Sequence, residues 1–157
     1  MKIPLIKPFI NQDIKNRVLD VLDSGYLTEG PVTRGFESKL KEFMGCKNLI
    51  AVNSATTGLE IALRALNIGP GDEVIVPDYT YPATASVVPI VGAKAIIVDV
   101  HKEDMLIDYD KIEAAITEKT KAIIPVSLFG APLDYERLNA IKEKHNLYIV
   151  EDAACSI

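Results

Sequence analysis

The chain has 157 residues, 48% of them hydrophobic and 25% charged, the balance of a globular core rather than of a disordered tail. A net charge of -5 without a Lys/Arg cluster offers no continuous basic face, so neither nucleic acid nor an acidic membrane is expected as a partner and any phosphate must be held locally. Cys46 and Cys155 stand in no CxxC or Cys/His array, which predicts no disulfide and no metal site and fits a reducing cytoplasm, and no apolar run is long enough to cross a membrane.

In chain order, Asn11 is placed to cap a helix whose Ile14, Val18, Val21 and Leu22 share one face and which Gly25 ends. After the Gly/Pro/Thr loop GYLTEGPVTRG, a second helix carries Phe36, Leu40, Phe43 and Met44 at the same spacing and stops at Gly45. From Asn48 the pattern changes to short continuous apolar runs: LIAV at 49–52, EVIVP at 73–77, AIIVDV at 95–100, AIIPVSL at 122–128 and LYIVED at 147–152. Continuous runs are the mark of strands buried on both faces, and helical stretches through Leu59–Leu66 and Ile112–Ile116 separate some of them. The expectation is an α/β fold, a mostly parallel sheet with helices on both faces over residues 48–157, preceded by a helical segment over 1–47.

In an open parallel sheet ligands sit beyond the carboxyl ends of the strands, which directs attention to the residues just after each run. After the first comes NSATTGLEIAL, where backbone N–H groups at a helix start, with the hydroxyls of Ser54, Thr56 and Thr57, suit an anion; the alternative is that Ser54 or Thr56 only caps the helix. After the second comes PDYTYPATASVV, where Pro82 opens a helix and Tyr79 or Tyr81 offers a ring for stacking, the alternative being ordinary packing. After the fifth comes Glu151-Asp152-Ala153-Ala154-Cys155, whose Asp152 suits a metal, a turn cap or a protonated ring nitrogen. No GxGxxG or GxxxxGK[ST] competes for the phosphate position. An anion anchor, a stacking ring and a carboxylate together make the cradle that pyridoxal 5'-phosphate requires, because its ring draws electrons only while its nitrogen stays protonated.

Several motifs then resemble one family in the same order along the chain, the DegT/DnrJ/StrS-type sugar aminotransferases, which are fold-type-I pyridoxal-phosphate enzymes. GYLTEGPVTRGFE is similar to the family's G-x-L-T-x-G-P-x-x-x-x-F-E, SATTGLEIAL to its S-[GA]-T-x-[GA]-x-x-x-A-L, and GDEVIVPDYTYPATA to its G-D-E-V-I-x-P-x-x-[ST]-[FWY]-x-[AS]-T. IIPVSLFGAPLD and LYIVEDAACSI resemble two further segments, with Ser127 in place of the usual histidine and Cys155 where glutamine or histidine commonly contacts the cofactor's phenolic oxygen.

The resemblance implies that Ala55 and Thr56 contact the phosphate, that Tyr81 stacks on the ring while Tyr79 is structural, that Asp152 pairs with the pyridine nitrogen, and that Cys155 lies near the phenolic oxygen. Tyr26, Leu27 and Thr28 are implied as substrate contacts near a homodimer interface. The implied reaction moves an amino group, from a donor such as glutamate, to a keto carbon of a nucleotide-linked sugar. The family's Schiff-base lysine follows the aspartate and is not found in the chain, which is therefore expected to be the N-terminal portion of the enzyme and inactive alone. A sugar dehydratase of the same family, with histidine in the lysine's place, and a non-catalytic remnant are the alternatives.

Overall fold

The computed structural model describes residues 7–156, and it divides into two compact units, Met1–Ala51 and Val52–Ile157. In the first, helix α1 (Gln12–Ser24) begins where the Asn11 side chain accepts a hydrogen bond from the Ile14 N–H at 2.9 Å, and it ends at Gly25, whose φ of 73° is the left-handed turn a glycine takes without strain. Helix α2 (Pro31–Met44) opens with Pro31, where a missing N–H costs nothing, and closes at a left-handed Gly45. Neither helix buries a residue, although both are amphipathic: Leu22, Phe36 and Phe43 remain exposed.

The second unit is a three-layer α/β domain. Helix α3 (Ala55–Ala65) leads to strand β1 (Glu73–Pro77), helix α4 (Pro82–Ile90), strand β2 (Lys94–Val98), helix α5 (Tyr109–Ala115), strand β3 (Thr120–Ile123), a 3-10 turn (Leu128–Gly130), helix α6 (Tyr135–His145) and strand β4 (Tyr148–Ile149). The sheet order is β2-β1-β3-β4 and every neighbouring pair is parallel. All five residues of central β1 are buried, as its unbroken apolar run requires.

The pleat sorts that run into two cores. Val74, Val76, Ala122 and Ile124 face one side with Leu59 and Leu63 of α3 and Val87 and Val88 of α4. Ile75 and Ile123 face the other with Ile112 of α5 and Leu138 and Ile141 of α6. Helices thus cover both faces, as expected. Helix α6 announces itself less clearly in sequence: its start is fixed by Asp134, whose carboxylate accepts from the Arg137 N–H at 3.0 Å, and its only buried residues are Leu138 and Ile141.

One expected strand is absent. Residues 49–52 form no ladder, so the sheet has four strands among the described residues. The run has strand composition, but a strand exists only through a hydrogen-bonded neighbour, and here Ile50 is 79% and Val52 42% exposed. The last two strands are also shorter than their apolar runs; beyond Ile123 and Ile149 the chains stay together through a single parallel bridge between Val126 and Asp152.

Candidate functional site

Because the strands are parallel, the segments following β1, β3 and β4 gather at one edge of the sheet, and the buried polar side chains there define the site. Asp152 is 6% exposed. Its N–H donates to the Pro125 carbonyl at 2.9 Å and its carbonyl accepts from the Ser127 N–H at 3.1 Å, which pins it to the end of β3. Its Oδ2 accepts from the Thr84 hydroxyl at 2.7 Å and its Oδ1 from the Ala154 N–H at 3.2 Å. Asp152 joins no ion pair among the described residues, so a buried carboxylate stands here with hydrogen-bond donors and no cation.

A cavity of about 290 Å³ lies beside it, lined by Val150–Ala154 and by Ala55, Gly58, Leu59 and Ala62 of α3. The start of that helix supplies donors. The Ser54 hydroxyl accepts from the Thr57 N–H at 3.2 Å and shares a 3.0 Å hydrogen bond with the Thr57 hydroxyl. Ser54 is therefore the cap, and its side chain and that of Thr57 are committed to each other. The N–H groups of Ala55 and Thr56, in the first turn of the helix, have no intrahelical acceptor and make no hydrogen bond among the described residues, as free donors at a helix start do.

Tyr81 is the N-cap residue of α4, with Pro82 opening the helix as the sequence indicates, and its side chain is 75% exposed. Tyr79, expected to be structural, is itself 50% exposed, so burial does not divide the two rings as the sequence reading did. Cys155 is exposed and unpaired by disulfide, on the segment that follows Asp152. Thr56, Tyr81 and Cys155 do not line the 290 Å³ cavity, whereas Ala55 and Asp152 do.

Three side chains unassigned from sequence lie on the same edge. The Ser127 hydroxyl, on a residue 3% exposed, donates to Glu151 Oε1, and the Tyr135 hydroxyl donates to both Glu151 oxygens at 2.9 and 3.0 Å. Burial, and then the bond to this carboxylate, hold the Tyr135 phenol above its ordinary pKa. Ser127 thus spends its hydroxyl on Glu151 in the position that carries histidine in the motif it resembles. Next to it Phe129 holds a left-handed φ of 54° with its ring exposed, and Gly130 continues with a φ of 81°.

Tyr26, Leu27 and Thr28 belong to the other unit. With Val21, Ser24 and residues 30–33 they line a cavity of about 340 Å³ in the turn between α1 and α2. Gly30 closes that turn: a Cβ on it would stand 3.0 Å from Tyr26 Cβ, so a side chain there requires Tyr26 to give by a few tenths of an ångström. Among the described residues no group of His, Cys, Asp and Glu has the arrangement of a metal site, and no helix is long and apolar enough to cross a membrane.

The family model of the DegT/DnrJ/EryC1/StrS aminotransferases matches residues 8–157. The chain belongs to that family. Among solved structures, Spr1654 of Streptococcus pneumoniae, a protein assigned as a sugar aminotransferase, superposes in its PMP form with a TM-score of 0.92 at 40% identity, covering 99% of this chain and 43% of its own. Its PLP form gives a TM-score of 0.92 at 41% identity over 98% of this chain and 43% of its own. NtdA of Bacillus subtilis, with bound cofactor PMP, superposes at 0.89 and 39% identity, covering 93% of this chain and 34% of its own. The family member described here has the α/β fold of these fold-type-I aminotransferases and spans less than half the length of either.

Proposed function

We propose that the protein to which this chain belongs is a pyridoxal-phosphate-dependent aminotransferase that carries an amino group from an amino-acid donor, glutamate in this reading, to a keto carbon of a nucleotide-linked sugar, working as a homodimer in the cytoplasm. The observation that carries the reading is Asp152: a carboxylate 6% exposed, oriented on both oxygens by protein donors and lacking a cation among the described residues, beside a cavity that also meets the start of α3. A buried anion without a partner is costly, and a protonated pyridine nitrogen supplies the missing charge.

Each group of the cofactor has a matching residue in this reading. The N–H groups of Ala55 and Thr56 face the phosphate, Tyr81 offers its exposed ring for stacking, and Asp152 meets the ring nitrogen. Cys155 stands in for the side chain that contacts the phenolic oxygen, where a thiol is a weaker donor than an amide or imidazole. When bound, the cofactor supplies an electron sink for the carbon bearing the transferred amine. The chain's part is to hold negative charge at the ring nitrogen, to fix the ring plane and to anchor the phosphate. Tyr26, Leu27 and Thr28 are the proposed substrate contacts.

Lys94 and Lys121 lie at or next to the first residue of their strands, the edge opposite Asp152, so neither is placed to link to a cofactor held there. Binding of pyridoxamine phosphate, which needs no lysine linkage, therefore tests the site by itself. Fluorescence titration of the 157-residue chain is expected to show saturable binding that Asp152→Asn weakens severely; equal binding by both proteins contradicts the assignment.

A further inference from the structure

Thr84 is buried completely, 68 residues before the carboxylate it touches, and its hydroxyl donates to Asp152 Oδ2 at 2.7 Å. A carboxylate oxygen only accepts, so Thr84 commits its single proton there. The 2.9 Å contact between the Thr80 and Thr84 hydroxyls must then run from Thr80 to Thr84, giving a directed chain, Thr80 to Thr84 to Asp152. Two hydroxyl dipoles in series present their positive ends to one carboxylate oxygen, and each polarises the next.

The same helix carries the ring proposed to stack. Tyr81 is the N-cap of α4 and its carbonyl accepts from the Thr84 N–H at 3.1 Å, so one turn of helix links the stacking residue to the hydroxyl that holds the carboxylate. We infer that Thr84, backed by Thr80, is a positioning residue that fixes Asp152 Oδ2 against the cofactor's ring nitrogen and keeps that nitrogen protonated, an inference that rests on the cofactor reading above. The contact occupies one lone-pair direction of Oδ2, and the Ala154 N–H holds Oδ1 at 3.2 Å, so the carboxylate cannot rotate without losing both bonds.

The test follows the ring nitrogen directly, by 15N NMR of ring-labelled pyridoxamine phosphate bound to the 157-residue chain at one fixed alkaline pH at which the free label has lost its ring proton. The wild-type chain is expected to hold the signal at the protonated position, Thr84→Val to move it towards the unprotonated position, and Thr84→Ser, which keeps the hydroxyl, to restore it. Thr80→Val, on a half-buried residue that a change does not cavitate, is expected to give a smaller move in the same direction and decides the matter if Thr84→Val does not fold. A protonated signal unchanged by Thr84→Val, or by Thr80→Val where the former cannot be made, overturns the role of Thr84 and leaves the cofactor reading intact. A wild-type chain that leaves the label at its free position overturns the cofactor reading and this inference with it.

Discussion

The sheet carries a buried carboxylate at each edge, and the two are held by similar hydroxyl contacts but not by similar charges. At the amino edge Glu73, 7% exposed, accepts from the Thr117 hydroxyl at 2.6 Å and pairs with the Lys94 ammonium at 3.4 Å. At the carboxyl edge Asp152, 6% exposed, accepts from the Thr84 hydroxyl at 2.7 Å and from a backbone N–H, with no ion pair among the described residues. Glu73 is complete within the chain and ties the starts of β1 and β2 together. Asp152 has two hydrogen-bond donors and no cationic partner among the described residues. On the proposed function, the difference separates a carboxylate that serves the fold from one that serves a ligand, although burial alone ranks them equal.

Neutralising the two carboxylates is expected to have opposite effects. Asp152→Asn keeps the shape and removes the charge; the lost charge-assisted contact, ~1.5–3 kcal/mol, weakens pyridoxamine phosphate binding roughly 10- to 150-fold in a fluorescence titration. Glu73→Gln leaves that affinity unchanged and lowers the melting temperature, because Lys94 loses its partner. A smaller effect separates the two tyrosines: Tyr81→Ala costs about 1 kcal/mol of stacking, a roughly fivefold loss of affinity, while Tyr79→Ala leaves affinity as it was. Equal losses from both remove the case for Tyr81 as the stacking residue, a case that their exposures do not make.

Acid is expected to weaken the amino edge. The Thr117 hydrogen bond, opposed by burial and reinforced by Lys94 and Lys119, holds the Glu73 carboxyl below its ordinary value of 4.5. As pH falls through that ordinary value the unfolded chain takes up the proton before the folded one does, so this contribution is fully present above about 4.5 and disappears as pH drops through the lowered folded value. Thermal melts from pH 6 downwards are expected to show the gap between wild type and Glu73→Gln closing below about 4.5; a constant gap means that packing, not charge, stabilises this edge.

Much of this arrangement is legible in the sequence because it depends on local signals. Asn11, Gly25, Gly45 and Pro82 mark helix ends through one-residue capping chemistry, and the EVIVP run marks the buried central strand. What sequence does not display is pairing at a distance. LIAV at 49–52 has strand composition but no ladder partner among the described residues, so composition overstates it. The contact of Thr84 with Asp152 spans 68 positions and exists only because α4 packs beneath the carboxyl edge. The hydroxyls at the start of α3 look equivalent in SATTG, yet folding commits those of Ser54 and Thr57 to the cap and leaves the N–H groups of Ala55 and Thr56 without a hydrogen bond among the described residues.

The most direct measurement compares the affinity of the chain for pyridoxamine phosphate with its affinity for the analogue in which CH replaces the ring nitrogen, in wild type and in Asp152→Asn. If Asp152 is an anion awaiting a ring cation, wild type prefers the nitrogen ring by at least about tenfold, as a charge-assisted hydrogen bond requires, and Asp152→Asn removes the preference. Equal affinity of the wild-type chain for the two rings means that Asp152 does not pair with a ring cation.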